Sequence, residues 1–144
     1  MTSPASGAKA MLSQLPLAEH RWNHRLLVIL APSAQASGLR QTLDLLQARH
    51  RELDERQIVV YTVIPDEPLW TFRDGQLTTQ TLRRPWAIHD QLTRTHRLPS
   101  STPQAILIGK DGQSKAAYPL PLELDRVFAT IDAMPMRQAE VQRQ

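Results

Sequence analysis

Two apolar runs separated by a helical stretch constrain this chain more than any other feature. Residues 25–31 read RLLVILA and residues 57–64 read QIVVYTVI. Neither run alternates polar and apolar positions. Each is therefore expected to be a strand covered on both faces, as in a parallel or mixed sheet. Pro32 ends the first and Pro65 the second. Between them, Leu39, Leu43, Leu46 and Leu53 fall at i, i+4, i+7 and i+14, broadened by Leu45. Arg40, Asp44, Arg49, Arg51, Glu52 and Glu55 take the other side. The spacing predicts one helix from Gly38 to about Glu55, with Ser37 as its N-cap. Strand, helix and strand form the unit that places two strands parallel.

The rest of the chain adds two helices and a pair of strands. Asp74-Gly75 marks a turn at the tip of a small hairpin, and Thr78–Arg84 reads as irregular. Pro85-Trp86 opens a helix carrying Ile88 and Leu92, which fades by Arg97. Gln104–Ile108 reads as the third strand, Lys110-Asp111-Gly112 as a tight turn and Gln113–Ala117 as an antiparallel fourth strand. The last helix opens at Pro121 or Leu122. Its Leu124, Val127, Phe128 and Ile131 share one face, and Pro135 ends it. The expected class is α/β, a central mixed four-stranded sheet flanked by helices in the order β-α-β-α-β-β-α. Residues 1–16 read as a flexible leader, 17–136 as one domain, with Trp22 as an anchor in its lead-in, and 137–144 as a polar tail.

What the chain lacks limits its chemistry. It has no cysteine, so thiol–disulfide exchange, a thiolate nucleophile and Cys-based metal sites are excluded. The formal charge of +3 falls short of a nucleic-acid signature. No apolar run reaches the ~18–20 residues of a membrane span. Met1–Leu17 has no hydrophobic stretch of a signal peptide, which favours a cytoplasmic location for the chain as given.

The element order resembles that of a thioredoxin fold. Proteins of that kind place a cis-proline just before the third strand, opposite the active loop. Pro103 holds that position here, so a cis bond is expected at it. The loop Pro32-Ser33-Ala34-Gln35-Ala36-Ser37 stands where the thiols would be. Pro32, Ser33, Ser37 and Pro103 are thus the candidate binding face, a vestigial active site. Three segments carry a closer resemblance: RLLVILAPS at 25–33, AILIGKDGQSK at 105–115, and IDAMPMR at 131–137 followed by Gln138 and Glu140. They resemble one uncharacterised thioredoxin-like domain family of small, often exported bacterial proteins. Related domains occur in sushi-repeat and coiled-coil-domain matrix proteins. The residues of this chain that carry the signature are Gly109, Lys110, Asp111, Gly112, Ile131, Asp132, Met134, Pro135, Met136 and Arg137. The resemblance implies a fold and supplies no reaction.

Other candidates weigh less. His20 and His24 lie one helical turn apart, a metal-compatible spacing, but no HExxH string accompanies them. The five histidines are expected at the surface, and no metal or cofactor is expected. Arg83, Arg84, Arg94 and Arg97 against Asp90 make a basic segment. Trp70, Phe72 and Trp86 fit an exposed binding surface and core packing equally. Lys110 and Lys115 read as surface charge. The expectation is a non-catalytic thioredoxin-like binding or scaffold module with an unidentified, protein partner. The alternatives are anion or nucleic-acid binding through Arg83–Arg97, and non-thiol chemistry at the Ser33 loop.

Overall fold

In the computed structural model, Leu12 and residues 14–143 are described. The two apolar runs form β1 (Arg25–Leu30) and β2 (Ile58–Val63), paired in parallel from Arg25↔Ile58 to Leu30↔Val63. β5 (Gln104–Ile108) lies antiparallel to the other side of β1, and β6 (Ser114–Pro119) antiparallel to β5. The hairpin β3 (Leu69–Arg73) and β4 (Gln76–Gln80) extends the sheet beyond β2. The order across the sheet is β4-β3-β2-β1-β5-β6. The sheet therefore has six strands where four were expected. Asp74-Gly75 does tip the hairpin, with φ of 53° and 75°. Its second arm runs to Gln80, through residues expected to be irregular. QLTTQ carries little apolar signal because nearly all of β4 faces solvent.

Helices cover both faces, which is why β1 and β2 are continuously apolar. Leu27, Ile29 and Val60 pack beneath α2 (Leu39–Ala48), α3 (His50–Glu55) and α5 (Leu124–Asp132). Leu26, Val28, Val59 and Tyr61 pack against Ile88 and Leu92 of α4 (Pro85–Thr95). Two short helices complete the described elements, α1 (Leu17–His20) and α6 (Pro135–Gln142). Among the described residues, no helix is long and apolar enough to cross a membrane.

Several local expectations are corrected. The single helix from Gly38 to Glu55 is two, broken at Arg49, whose φ of −113° leaves the helical region. The break turns Arg49 toward Glu52 at 2.7 Å and Asp125 at 2.8 Å. Ser37 does not cap α2; Gly38 is the N-cap, in the left-handed region at φ 82°. A Cβ there would lie 2.7 Å from the backbone nitrogen of Pro121. The same junction is tied by Thr42, whose hydroxyl donates to the Gly38 carbonyl at 2.8 Å and accepts from Leu122 N–H at 3.0 Å. The cis peptide bond among the described residues is Leu120–Pro121, not the bond to Pro103. Pro103 leads directly into β5, and its carbonyl accepts from Leu120 N–H at 3.4 Å.

At the two ends, Trp22 is no anchor: it is 59% exposed at φ 70°. Most of the expected leader lies outside the described residues. Leu15 within it is buried, and Leu12 bridges to Leu82. Pro135 does not merely end a helix. The helix has stopped at Asp132, and Pro135 starts α6, a position where its missing N–H costs nothing.

Candidate functional site

The sheet's topology gathers charge at one end. β1 and β2 begin there and antiparallel β5 finishes there, so Arg25, Gln57 and the Gly109–Lys110 step become neighbours. Arg25 opens an apolar strand yet is only 1% exposed, and Lys110 is 8% exposed. Lys110 is therefore not the surface charge expected. Buried cations need anionic partners, and α6 supplies one. Arg25 makes a two-pronged pair with Glu140, donating to Oε1 at 3.2 Å and Oε2 at 3.1 Å, and also donates to the Arg56 carbonyl at 2.9 Å. Lys110 Nζ donates to Glu140 Oε2 at 2.7 Å and to the Gln57 side-chain oxygen.

A second ring surrounds this centre. Arg137 is 3% exposed and donates to the carbonyl and carboxylate of Glu55 at 3.1 and 3.2 Å. It also lies 3.6 Å from both Asp132 and Glu140. Arg56 pairs with both oxygens of Asp132 at 3.0 and 2.9 Å, and its guanidinium stacks 4.2 Å from the centre of the Phe128 ring. Burial by itself would raise the Glu140 carboxyl pKa, but the Arg25 and Lys110 hydrogen bonds outweigh it and hold it below its ordinary value. The Arg56 hydrogen bond, against burial, does the same for Asp132.

Beside this cluster lies a cleft of about 260 Å³. It is lined by Arg25, Lys110, Gly109, Asp111 and Lys115 together with Met134, Pro135 and Met136. Asp111 is held by Lys115 at 2.8 Å. Six of the signature residues thus line one cavity, and two more, Asp132 and Arg137, stand in the ion network behind it. Ile131 is core, and Gly112 shapes the turn at φ 86°. Sequence reasoning grouped these residues by resemblance and missed the roles of Arg25, Gln57 and Glu140. The signal was there: a cation at the end of each of two buried strands, Arg25 on β1 and Lys110 after β5, calls for a counter-ion from elsewhere.

The other candidates are placed apart. Pro32 and Ser33 follow the opposite end of β1, roughly 20 Å away at ~3.3 Å per residue. Ser33 and Ser37 are exposed, Pro32 and Pro103 half-buried. The β1–β5 register runs to Leu30↔Gln104, so the next step sets Pro103 beside Ala31, at that same end. No histidine bonds to either serine among the described residues. Arg83, Arg84, Arg94 and Arg97 are all exposed. They fall at opposite ends of α4, about 16 Å apart for its length, and Arg94 is paired with Asp90 at 3.0 Å. Trp86 is 60% exposed, whereas Trp70 and Phe72 are half-buried beside Leu43 and Leu46 of α2.

The histidines are not all at the surface. His20 and His89 are buried. His20 and His24 form a hydrogen-bonded chain rather than two open ligands. Arg73 can only donate, at 3.4 Å to His24 Nε2, which puts the His24 proton on Nδ1. That proton is given to His20 Nδ1 at 3.0 Å, and His20 Nε2–H is given to Tyr61 Oη. Burial, the neighbouring ring and Arg73 lower the pKa of His20; burial, Arg73 and Lys110 lower that of His24. The unfolded chain then binds more protons than the folded one below the ordinary histidine pKa of ~6.5. Stability is full above that value and falls as pH drops through the lowered pKa values. Thermal melts from pH 8 to 5 should show this loss, and a His20→Gln, His24→Gln variant should show a shallower slope. An unchanged slope would refute the assignment.

The family model for the domain of unknown function DUF4174 matches residues 16–140. The chain belongs to the DUF4174 family. The match ends at Glu140, so it takes in every member of the ion network just described. No curated protein and no solved structure matches the chain. The middle of this DUF4174 domain, Pro65–Pro85, is where β3 and β4 extend the sheet.

Proposed function

We propose that this chain is a non-catalytic binding module built on a thioredoxin-like domain, with its binding site in the cleft between Lys110 and Met134–Met136. The order β2-β1-β5-β6, with β5 opposed to the other three and helices on both faces, supports the thioredoxin-like reading. The site rests on one observation: Gly109, Lys110 and Asp111, together with Met134, Pro135 and Met136, line one cavity beside the buried Arg25. The binding reading is supported by the lining itself: Lys110 and Lys115 are held by the carboxylates of Glu140 and Asp111, and the described lining residues include no hydroxyl, thiol or imidazole. The face at Ser33 and Pro103 is less well supported, because Ser33 and Ser37 stand in solvent. The arginines of Arg83–Arg97 form two separated groups rather than one patch.

The chain has four methionines, and two of them, Met134 and Met136, line the cleft. Spectra of protein carrying ¹³C in its methionine methyl groups and ¹⁵N in its backbone should respond at these two methyls when a mixture of small amphipathic acids, amides and alcohols is added. Responses mapping instead to backbone amides of Ser33, Ser37 and Gln104, or no response anywhere, would overturn the reading.

A further inference from the structure

We infer that the cleft takes a small amphipathic carboxylate, its head group on Lys110 and Arg25 and its apolar body against Met134, Pro135 and Met136. The inference rests on the reading of this cleft as the binding site. Its ground is charge. Arg25 and Lys110 are buried with one carboxylate, Glu140, between them. The second ring balances itself, Arg56 and Arg137 against Asp132 and Glu55, and Asp111 balances Lys115. One positive charge is left over at the cavity wall. An uncompensated buried charge is costly, and a monoanion arriving beside it removes that cost.

Donor capacity points the same way. Lys110 uses two of its three N–H groups on protein partners, and Arg25 three of its five. The cleft is also bordered by the first residues of α6, whose N-terminus has no side-chain cap. First-turn amides without partners add further donors and a positive dipole end. The lining from Met134 to Met136 is apolar, which a bare inorganic anion would leave unused. Size sets the class: at ~30 Å³ per water-sized group, 260 Å³ holds about nine heavy atoms. A six-carbon acid is of that size, whereas a nucleotide or a long-chain lipid would extend out of the open cleft.

The test uses hexanoate, hexanamide and inorganic phosphate against the methionine-methyl spectrum of the whole chain. Hexanoate should shift Met134 and Met136 at a concentration about tenfold below hexanamide, the margin of one charge-assisted contact. Phosphate should leave both methyls unmoved. In Lys110→Met the preference for acid over amide should vanish while hexanamide still binds. The wild-type comparison decides the matter even if that variant does not fold. Equal binding of hexanoate and hexanamide, or a response to phosphate alone, overturns the carboxylate and leaves the binding site standing. Silence of Met134 and Met136 toward all three overturns the carboxylate here, while the broader mixture above judges the site itself. N-acetylnorleucine carries the same kind of head and chain on a peptide C-terminus. If it binds more tightly than hexanoate, the free-acid assignment is overturned in favour of a chain end.

Discussion

Replacing Glu140 by alanine should destabilise the protein by about 3 kcal/mol, the lower end of what breaking a buried ion pair costs. For a chain of this size that corresponds to a fall in melting temperature of roughly 10 °C. The lower end applies because Glu140 is 17% exposed on its side chain, so water reaches the vacated position. The loss comes less from the missing attraction than from what is left behind. Arg25 and Lys110 would remain buried with no carboxylate between them. Lys110→Met should behave differently, costing under about 1 kcal/mol. It removes the surplus charge, Glu140 keeps both Arg25 bonds, and exposed Gln57 turns to water. Combining the two changes should cost clearly less than the sum of the separate losses. Denaturant unfolding of the four proteins measures this. If Lys110→Met proved as damaging as Glu140→Ala, the cluster would carry no cationic surplus, and the carboxylate inference would lose its ground.

Gly38→Asn should cost about 3 kcal/mol, nearly as much as Gly38→Ala, because two separate effects meet at this position. The φ of 82° penalises any side chain, but asparagine tolerates that conformation better than alanine. Space is the second problem. A Cβ would stand 2.7 Å from the backbone nitrogen of Pro121, which no rotamer change can relieve. Gly75 separates the two effects. Its φ is 75°, but a Cβ there meets only the His50 ring, at 3.1 Å, and the ring can move. Gly75→Asn is therefore expected to cost under about 1 kcal/mol. Urea midpoints of the three variants give the comparison. A near-native Gly38→Asn would show that the Pro121 contact yields easily, and the account of this junction would be wrong.

Much of the fold was legible in order along the chain. β1, β2 and β5 were readable because a strand buried on both faces leaves an unbroken apolar run. The cores of α4 and α5 were readable because one apolar face repeats every three or four residues. β4 was not, because a solvated edge strand such as QLTTQ leaves no such pattern. Nor was the break at Arg49: the leucine spacing from 39 to 53 suits an uninterrupted helix, and Asp125, which Arg49 meets at the break, lies far along the chain. The candidate site was legible only as a list of familiar residues. RQAEVQRQ at 137–144 reads as a polar tail by composition, and nothing local says that its Glu140 will neutralise Arg25.

The sequence by itself determined the strand–helix–strand start, the alternation of apolar strands and amphipathic helices, and the exclusion of thiol chemistry. Those properties follow from residue type and local period. Only the tertiary structure decided that the chain's charges converge. Arg25 and Glu140 lie 115 positions apart, and ion pairing over that distance has no period to read. It arises because parallel β1 and β2 begin, and antiparallel β5 ends, at one end of the sheet. Burying Arg25 and Lys110 there requires a carboxylate, and α6 brings it.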